Sequence, residues 1–181
     1  MKHPETYDLF PILVQKYSII NDSVILEDIF ANEDLGEHQL LIDSKRSKES
    51  YVLDNYVDLK AHIQEAIDIY VTKIGISPIK ISQSWYAIAN NGGHITRHTH
   101  PGSVISGAYY PFIETGRTFF AVENPNPDEV WNNLTKYNET AHDFELRSDD
   151  LLLFPSRLNH FTDPNQSGTR ICVSFNTKYV D

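Results

Sequence analysis

The sequence predicts a mainly β protein, an antiparallel sandwich or barrel supported by helices, α+β overall. Three observations carry that expectation. Beyond residue 78, short apolar and aromatic segments alternate with Gly, Pro and Asn turn signals, with no helical pattern between them. Aromatic residues are abundant, with ten Tyr and nine Phe, which suits the half-buried faces of pleated sheets. Helical periodicity is confined to the part before residue 78. A length of 181 residues suggests one domain over 1–181, with 1–78 as N-terminal strand and helical support and 79–181 as the β core.

Residues 9–14, LFPILV, read as a short extended strand that Pro11 keeps away from a sheet centre. Asn21, Asp22 and Ser23 offer N-caps for a short helix over VILEDIF. Residues 31–55 are polar and mixed, and the run SKRSKES reads as a solvated loop. Over 57–74, Leu59, Ile63, Ala66, Ile67, Tyr70 and Ile74 recur at steps of three and four. That spacing makes one apolar stripe on a helix, which Gly75 ends. His62 lies beside the stripe and reads as a surface or packing residue.

Residues 79–89 read as a strand, with Trp85 and Tyr86 at core or rim positions. Asn90-Asn91-Gly92-Gly93 signals a turn. Further strands are expected at 105–112, 118–122, 144–146, 151–154, 159–162 and 169–176, with a turn at Glu114-Thr115-Gly116. Residues 124–141 carry two prolines and many Asn, and read as a long excursion, a candidate lid.

A formal charge of −10 argues against a phosphate-backbone binder, which needs a basic face, so no nucleic-acid partner is expected. No membrane span and no signal-peptide pattern are present, which makes a cytoplasmic location the expectation. Cys172 is the only cysteine. Between Ile171 and Val173 it reads as a buried, inert thiol.

The chemistry concentrates at residues 97–110, RHTHPGSVISGAYY. His98 and His100 stand two apart, so on an extended chain they share a face. His160, in LLLFPSRLNHF, offers a third imidazole, and Arg170 follows in GTRICVSFN. Neutral imidazole suits Fe, Zn, Cu and Ni. Spacing alone leaves open a metal site or ordinary polar surface residues. His94 is a weaker ligand candidate, because its spacing from His98 belongs to a helix. If residues 163–167 form a hairpin loop, His160 and Arg170 are cross-strand partners on one face. Parity adds Cys172, Ser174 and Asn176 to the face of Arg170, and groups Ser106, Ala108 and Tyr110 on another. Ser106 and Tyr110 are candidate pocket residues, with core packing as the alternative.

Two known patterns resemble this arrangement. Gly92 to His100 is similar to the first half of the cupin signature, Gly-x5-His-x-His. The glutamate that should follow is missing from residues 101–105, and the glycines of the second cupin motif fall at Asp149 and Arg157. The fuller resemblance is to a group of Fe(II)/2-oxoglutarate-dependent oxygenases. Their motifs are similar to HTHPGSVISGAYY, LLLFPSRLNH, RICVSFN and the opening LFPILV of this chain. The resemblance covers residues 85–176 with gaps.

It implies a double-stranded β-helix (jelly roll) with the N-terminal helices packed outside and the metal site in the 79–181 core. It also implies Fe(II), 2-oxoglutarate and O2 as cofactors. The implied reaction is hydroxylation of an unidentified small-molecule or peptide substrate, with release of succinate and CO2. Carried over, His98 and His160 are metal ligands and His100 takes the position usually held by Asp or Glu. Arg170 takes the position that grips the far carboxylate of 2-oxoglutarate, with Ser106 and Tyr110 as pocket partners. A guanidinium suits that task because it can give a carboxylate two parallel hydrogen bonds. A third neutral ligand leaves the metal one unit more positive than a carboxylate would. Two other classes remain: a cupin-like three-histidine metalloenzyme that does not use 2-oxoglutarate, and a non-catalytic jelly-roll binding module.

Overall fold

The computed structural model describes residues 10–19, 24–123 and 132–180. In chain order the elements are β1 (Gln15–Ser18), α1 (Val24–Ala31), β2 (Leu35–Gly36), β3 (Leu41–Ser47) and α2 (Val57–Ile74), with a 3-10 turn (Val52–Asn55) before α2. There follow β4 (Ile79–Ile95), β5 (Ile105–Ile113), β6 (Arg117–Ala121), β7 (Ala141–Glu145), β8 (Asp150–Pro155), β9 (Asn159–Thr162) and β10 (Arg170–Tyr179). Two sheets result: a seven-stranded one ordered β1-β8-β5-β10-β4-β3-β2 and a three-stranded one ordered β7-β6-β9. Every pairing within them is antiparallel. This is the jelly roll, with both helices on the outer face of the larger sheet.

Strand parity explains why this sheet is covered on both sides. Along β8, Leu151 and Leu153 join the helix-side core, while Leu152 and Phe154 join the core between the sheets. Along β10, Ile171, Val173 and Phe175 face the helices, and Cys172 faces inward. Strands buried on both faces read as continuous apolar runs, as LLLF and ICV do here. The helix-side layer is completed by Ile25, Ile29, Leu59, Ile63, Ile67 and Tyr70, all at most 3% exposed. The stripe on α2 packs as its spacing predicts from Leu59 to Tyr70 but not at Ile74, which is exposed in the last turn, and Gly75 ends the helix in the left-handed conformation at φ 72°.

Gly107 is required where it stands. A Cβ there would lie 2.1 Å from the Phe175 ring, and the two residues are direct cross-strand partners. The Gly of S-G-x-Y-Y and the Phe of R-I-x-x-S-F-N are thus one packing unit.

Several sequence expectations are corrected. Asn90 to Gly93 is no turn, because β4 runs through it to Ile95. Gly92 takes φ 82°, and the β3–β4 register slips between Ile42 and Ser44, so the glycines build a bulge. The run expected as a solvated loop lies partly in β3, whose backbone pairs with β4. Residues 10–14 form no strand, and the pairing with β8 starts at Gln15, clear of Pro11. The caps at Asn21, Asp22 and Ser23 lie outside the described residues, as does 124–131 of the candidate lid. Residues 132–140 carry neither helix nor strand, and Ala141 already belongs to β7. His160 and Arg170 are not hairpin partners: β9 pairs with β6 while β10 pairs with β4 and β5. The segment between them crosses from one sheet to the other. No described helix is long and apolar enough to cross a membrane.

Candidate metal centre

The two histidine segments are joined by their backbones. His98 and His160 form an antiparallel bridge in which each N–H donates to the other's carbonyl at 3.0 Å. The His100 N–H donates to the Ser156 carbonyl at 2.8 Å. The turn before β9, closed by Leu158 N–H to Pro155 O, sets His160 opposite His98. H-T-H-P and F-P-S-R-L-N-H therefore act as one clasp across the mouth of the jelly roll.

The side chains converge. The candidate ligand nitrogens of His98, His100 and His160 all lie within 4.8 Å of one another. Each ring uses Nδ1 elsewhere. Nδ1 of His98 meets the Thr96 carbonyl at 2.8 Å, that of His160 the Leu158 carbonyl at 2.9 Å, and that of His100 Oδ1 of Asn176 at 2.7 Å. A carbonyl only accepts, so these contacts place the proton on Nδ1 and leave a lone pair on each Nε2. Nε2 of His100 and Nε2 of His160 stand 3.1 Å apart. Two nitrogens at about 2.1 Å from one ion, at a right angle, would stand about 3 Å apart. The donor set thus fits a divalent transition metal.

The surroundings keep the rings neutral and fixed. His100 stacks on Trp85 at 5.8 Å between centroids, and His160 lies 4.6 Å from Phe154. Burial, then the neighbouring His98, pushes His100 down to about 4 and His160 down to about 3. Burial lowers His98 as well. All three are ready to ligate at neutral pH without losing a proton first.

The other sequence candidates divide. Arg170 is 3% exposed. Its Nη1 meets the Asp163 carboxylate at 3.1 Å. Its Nη2 donates toward Thr162 Oγ1 and the carbonyls of Gly93 and Asp163. Its Nε makes no hydrogen bond among the described residues. Arg170 is not itself in the cavity lining; its guanidinium lies behind Thr162, which is. Tyr110 lines that cavity and shares a 2.7 Å hydrogen bond with Thr118. Ser106 does not line it. Its hydroxyl donates to Asn176 Oδ1 and pairs with Ser156, both at 2.8 Å, so it supports the acceptor of His100. His94 stands apart from the cluster, and His62 is exposed.

The cavity above the histidines measures about 250 Å³, below the roughly 300 to 1,000 Å³ of typical ligand pockets. Its described lining contains no Asp or Glu, although the chain has 25. Reading the sequence missed Arg46, His38, Thr118 and Thr162, which all line it. Arg46 and His38 were hidden in a polar stretch with no strand signal. Thr118 and Thr162 could have been found from parity, two residues from Phe120 and His160.

Comparisons agree with this architecture. Residues 83–176 match the sequence profile of the family described as "Putative 2OG-Fe(II) oxygenase". No curated protein matches the chain significantly. Among solved structures, a Pseudomonas putida prolyl-4-hydroxylase superposes with TM-score 0.60 at 13% identity, covering 93% of each chain. The epimerase SnoN from nogalamycin biosynthesis gives TM-score 0.64 at 12% identity, covering 92% of this chain and 78% of that one. HygX from Streptomyces hygroscopicus, solved with nickel and 2-oxoglutarate, gives 0.59 at 12%, covering 93% and 84%. At such identities these neighbours share the fold. The profile spans more than half of the chain, and with it the sequence belongs to the 2OG-Fe(II) oxygenase family, the Fe(II)- and 2-oxoglutarate-dependent oxygenases.

Proposed function

We propose that the protein is a hydroxylase of a small organic molecule, with His98, His100 and His160 as the iron ligands. The observation that carries this reading is the convergence of three Nε2 lone pairs, each fixed by an oxygen acceptor on Nδ1. Bound there, Fe(II) with 2-oxoglutarate supplies O2 activation, coupling decarboxylation of the cosubstrate to oxidation of a substrate C–H bond. The chain's own part is orientation and exclusion of water. The His98–His160 bridge fixes the angle between two rings. Asn176, braced by Ser106, fixes the third. Phe154, Ala108 and Phe161 make the cavity wall apolar.

Arg170, behind Thr162, is the clamp for the far carboxylate of 2-oxoglutarate, with Tyr110 and Thr118 as hydroxyl partners. Its ion pair with Asp163 holds the guanidinium in place. Nε–H and the second Nη1 hydrogen remain to donate. With three neutral ligands the ion keeps its full double charge, which matches a dianionic cosubstrate.

The test is product mass under oxygen-18 gas, with Fe(II), 2-oxoglutarate and a library of small metabolites. A substrate that gains one labelled oxygen while succinate accumulates supports hydroxylation. Succinate formation with an unlabelled, dehydrogenated or epimerised product contradicts it.

A further inference from the structure

Arg46 is a cation with no acidic partner among the described residues. Lys16, Lys48, Lys60, Arg117 and Arg170 each meet a carboxylate. Arg46 forms no ion pair among the described residues. Among the described residues its one hydrogen bond runs from Nε to the carbonyl of Ser47 at 3.3 Å, and neither Nη has an acceptor there. The side chain is half-buried in the lining of the cavity, and its Cζ stands 4.9 Å above the Trp85 ring. Trp85 in turn stacks on His100. A cation over an indole is held by the electron-rich ring face, but that contact leaves the in-plane donors unused. Those donors match a planar oxyanion.

Charge balance sharpens the point. A doubly charged metal, three neutral imidazoles and a dianionic cosubstrate sum to zero. Arg170 is offset by Asp163. The positive charge of Arg46 is left over, inside a cavity whose described lining holds no acid. Burial also lowers the pKa of Arg46, with no neighbouring carboxylate to oppose it.

We propose that Arg46 determines substrate specificity by binding a carboxylate on the substrate, whose apolar or planar part rests against Trp85. The proposal rests on the oxygenase reading and adds the substrate class, a monocarboxylate. The strand β3 presents the group, and the small cavity admits the reacting end of the molecule.

The experiment uses anaerobic full-length protein loaded with Fe(II) and saturating 2-oxoglutarate. It is titrated calorimetrically with phenylacetate and hexanoate, each beside its primary amide, and with phenyl phosphate. The visible band of the iron–2-oxoglutarate chelate is followed throughout. Wild type is expected to bind each acid at least about tenfold more tightly than its amide. Arg46→Met, which keeps an apolar stem over Trp85, is expected to abolish that preference while retaining the band. Arg46→Lys is expected to keep part of it. Equal affinity of acid and amide in wild type, or a preference that survives Arg46→Met, would overturn the proposal. So would tighter binding of the phosphate than of the acids, which would change the ligand class. Loss of the band in Arg46→Met alone would assign Arg46 to the cosubstrate instead. A wild type that forms no band would overturn the oxygenase reading itself, and is distinguishable by that fact.

Discussion

The two faces of the seven-stranded sheet are made by the same strands and obey different rules. On β10, Ile171, Val173 and Phe175 face the helices and are fully buried. One residue over, Arg170, Cys172, Ser174 and Asn176 face the space between the sheets. The first face is sealed by α1 and α2 and packs chiefly through apolar side chains, with a few polar atoms such as Ser84 Oγ and the Tyr70 hydroxyl bonded to backbone. The second holds polar atoms with assigned partners around a cavity. Strand parity thus separates stability from chemistry at the resolution of single residues. Substitutions on one face should move stability, and those on the other should move metal and cosubstrate binding.

The largest effect is expected for His160→Ala, which removes a proposed ligand from the buried end of the clasp. Stoichiometric Fe(II) uptake should vanish while the fold survives, as read by metal analysis of dialysed protein and by circular dichroism. Stoichiometric binding in the variant would break the assignment.

Next in size is Phe175→Ala on the helix face. Deleting a fully buried ring costs about 3–5 kcal/mol, measurable by urea unfolding of the metal-free protein. Fe(II) affinity should stay close to wild type under conditions where the variant is folded. A large loss of affinity would show that the faces are not separable.

Asn176→Ala, on the opposite face and one residue away, should do the reverse. It removes the Nδ1 acceptor of His100. Loss of such an outer partner typically costs 10–100-fold in metal affinity. Competition with a chelating dye would read it, with unfolding stability little changed by comparison.

The most gradual effect is a pH dependence. The folded-state pKa values of His100, about 4, and His160, about 3, lie below the ordinary 6.5. Below pH 6.5 the unfolded chain therefore binds more protons than the folded one. The stability these rings contribute is complete above about pH 6.5, and falls as pH drops toward 4 and then 3. The melting temperature of metal-free protein should decline over that window, more shallowly in His100→Gln. An unchanged slope in the variant would contradict the assigned burial.

The helix face was legible in the sequence because hydrophobic periodicity reports burial directly. The stripe on α2 from Leu59 to Tyr70, the run LLLF and the alternation in RICVSFN each place their residues correctly, and only Ile74, in the last turn, is exposed. The histidines were legible for a different reason: two residues at i and i+2, and a third inside a resembling motif, carry their chemistry in their identity. What was hidden depended on backbone pairing that polar residues do not announce. Arg46 lay in a charged run that reads as loop, yet β3 pairs with β4 and turns that side chain inward. Asn90 to Gly93 carries turn chemistry, but the same glycines also permit the close approach of β3. A Cβ on Gly93 would sit 2.7 Å from the Asp43 carbonyl. The relation of His160 to Arg170 was out of reach because parity cannot say that the intervening segment changes sheets. Ser106 had the right parity but the wrong depth. It supports Asn176 below the cavity and does not reach the cavity itself.

The three histidines and Arg170 are proposed to form together one site for iron and 2-oxoglutarate. The most direct measurement is anaerobic titration of the Fe(II)-loaded protein with 2-oxoglutarate, following the weak visible charge-transfer band of the chelate. A saturable band in wild type, strongly weakened in Arg170→Ala and absent in His160→Ala, is the expected result. Stoichiometric iron with no band in wild type, or a band indifferent to Arg170→Ala, would contradict it.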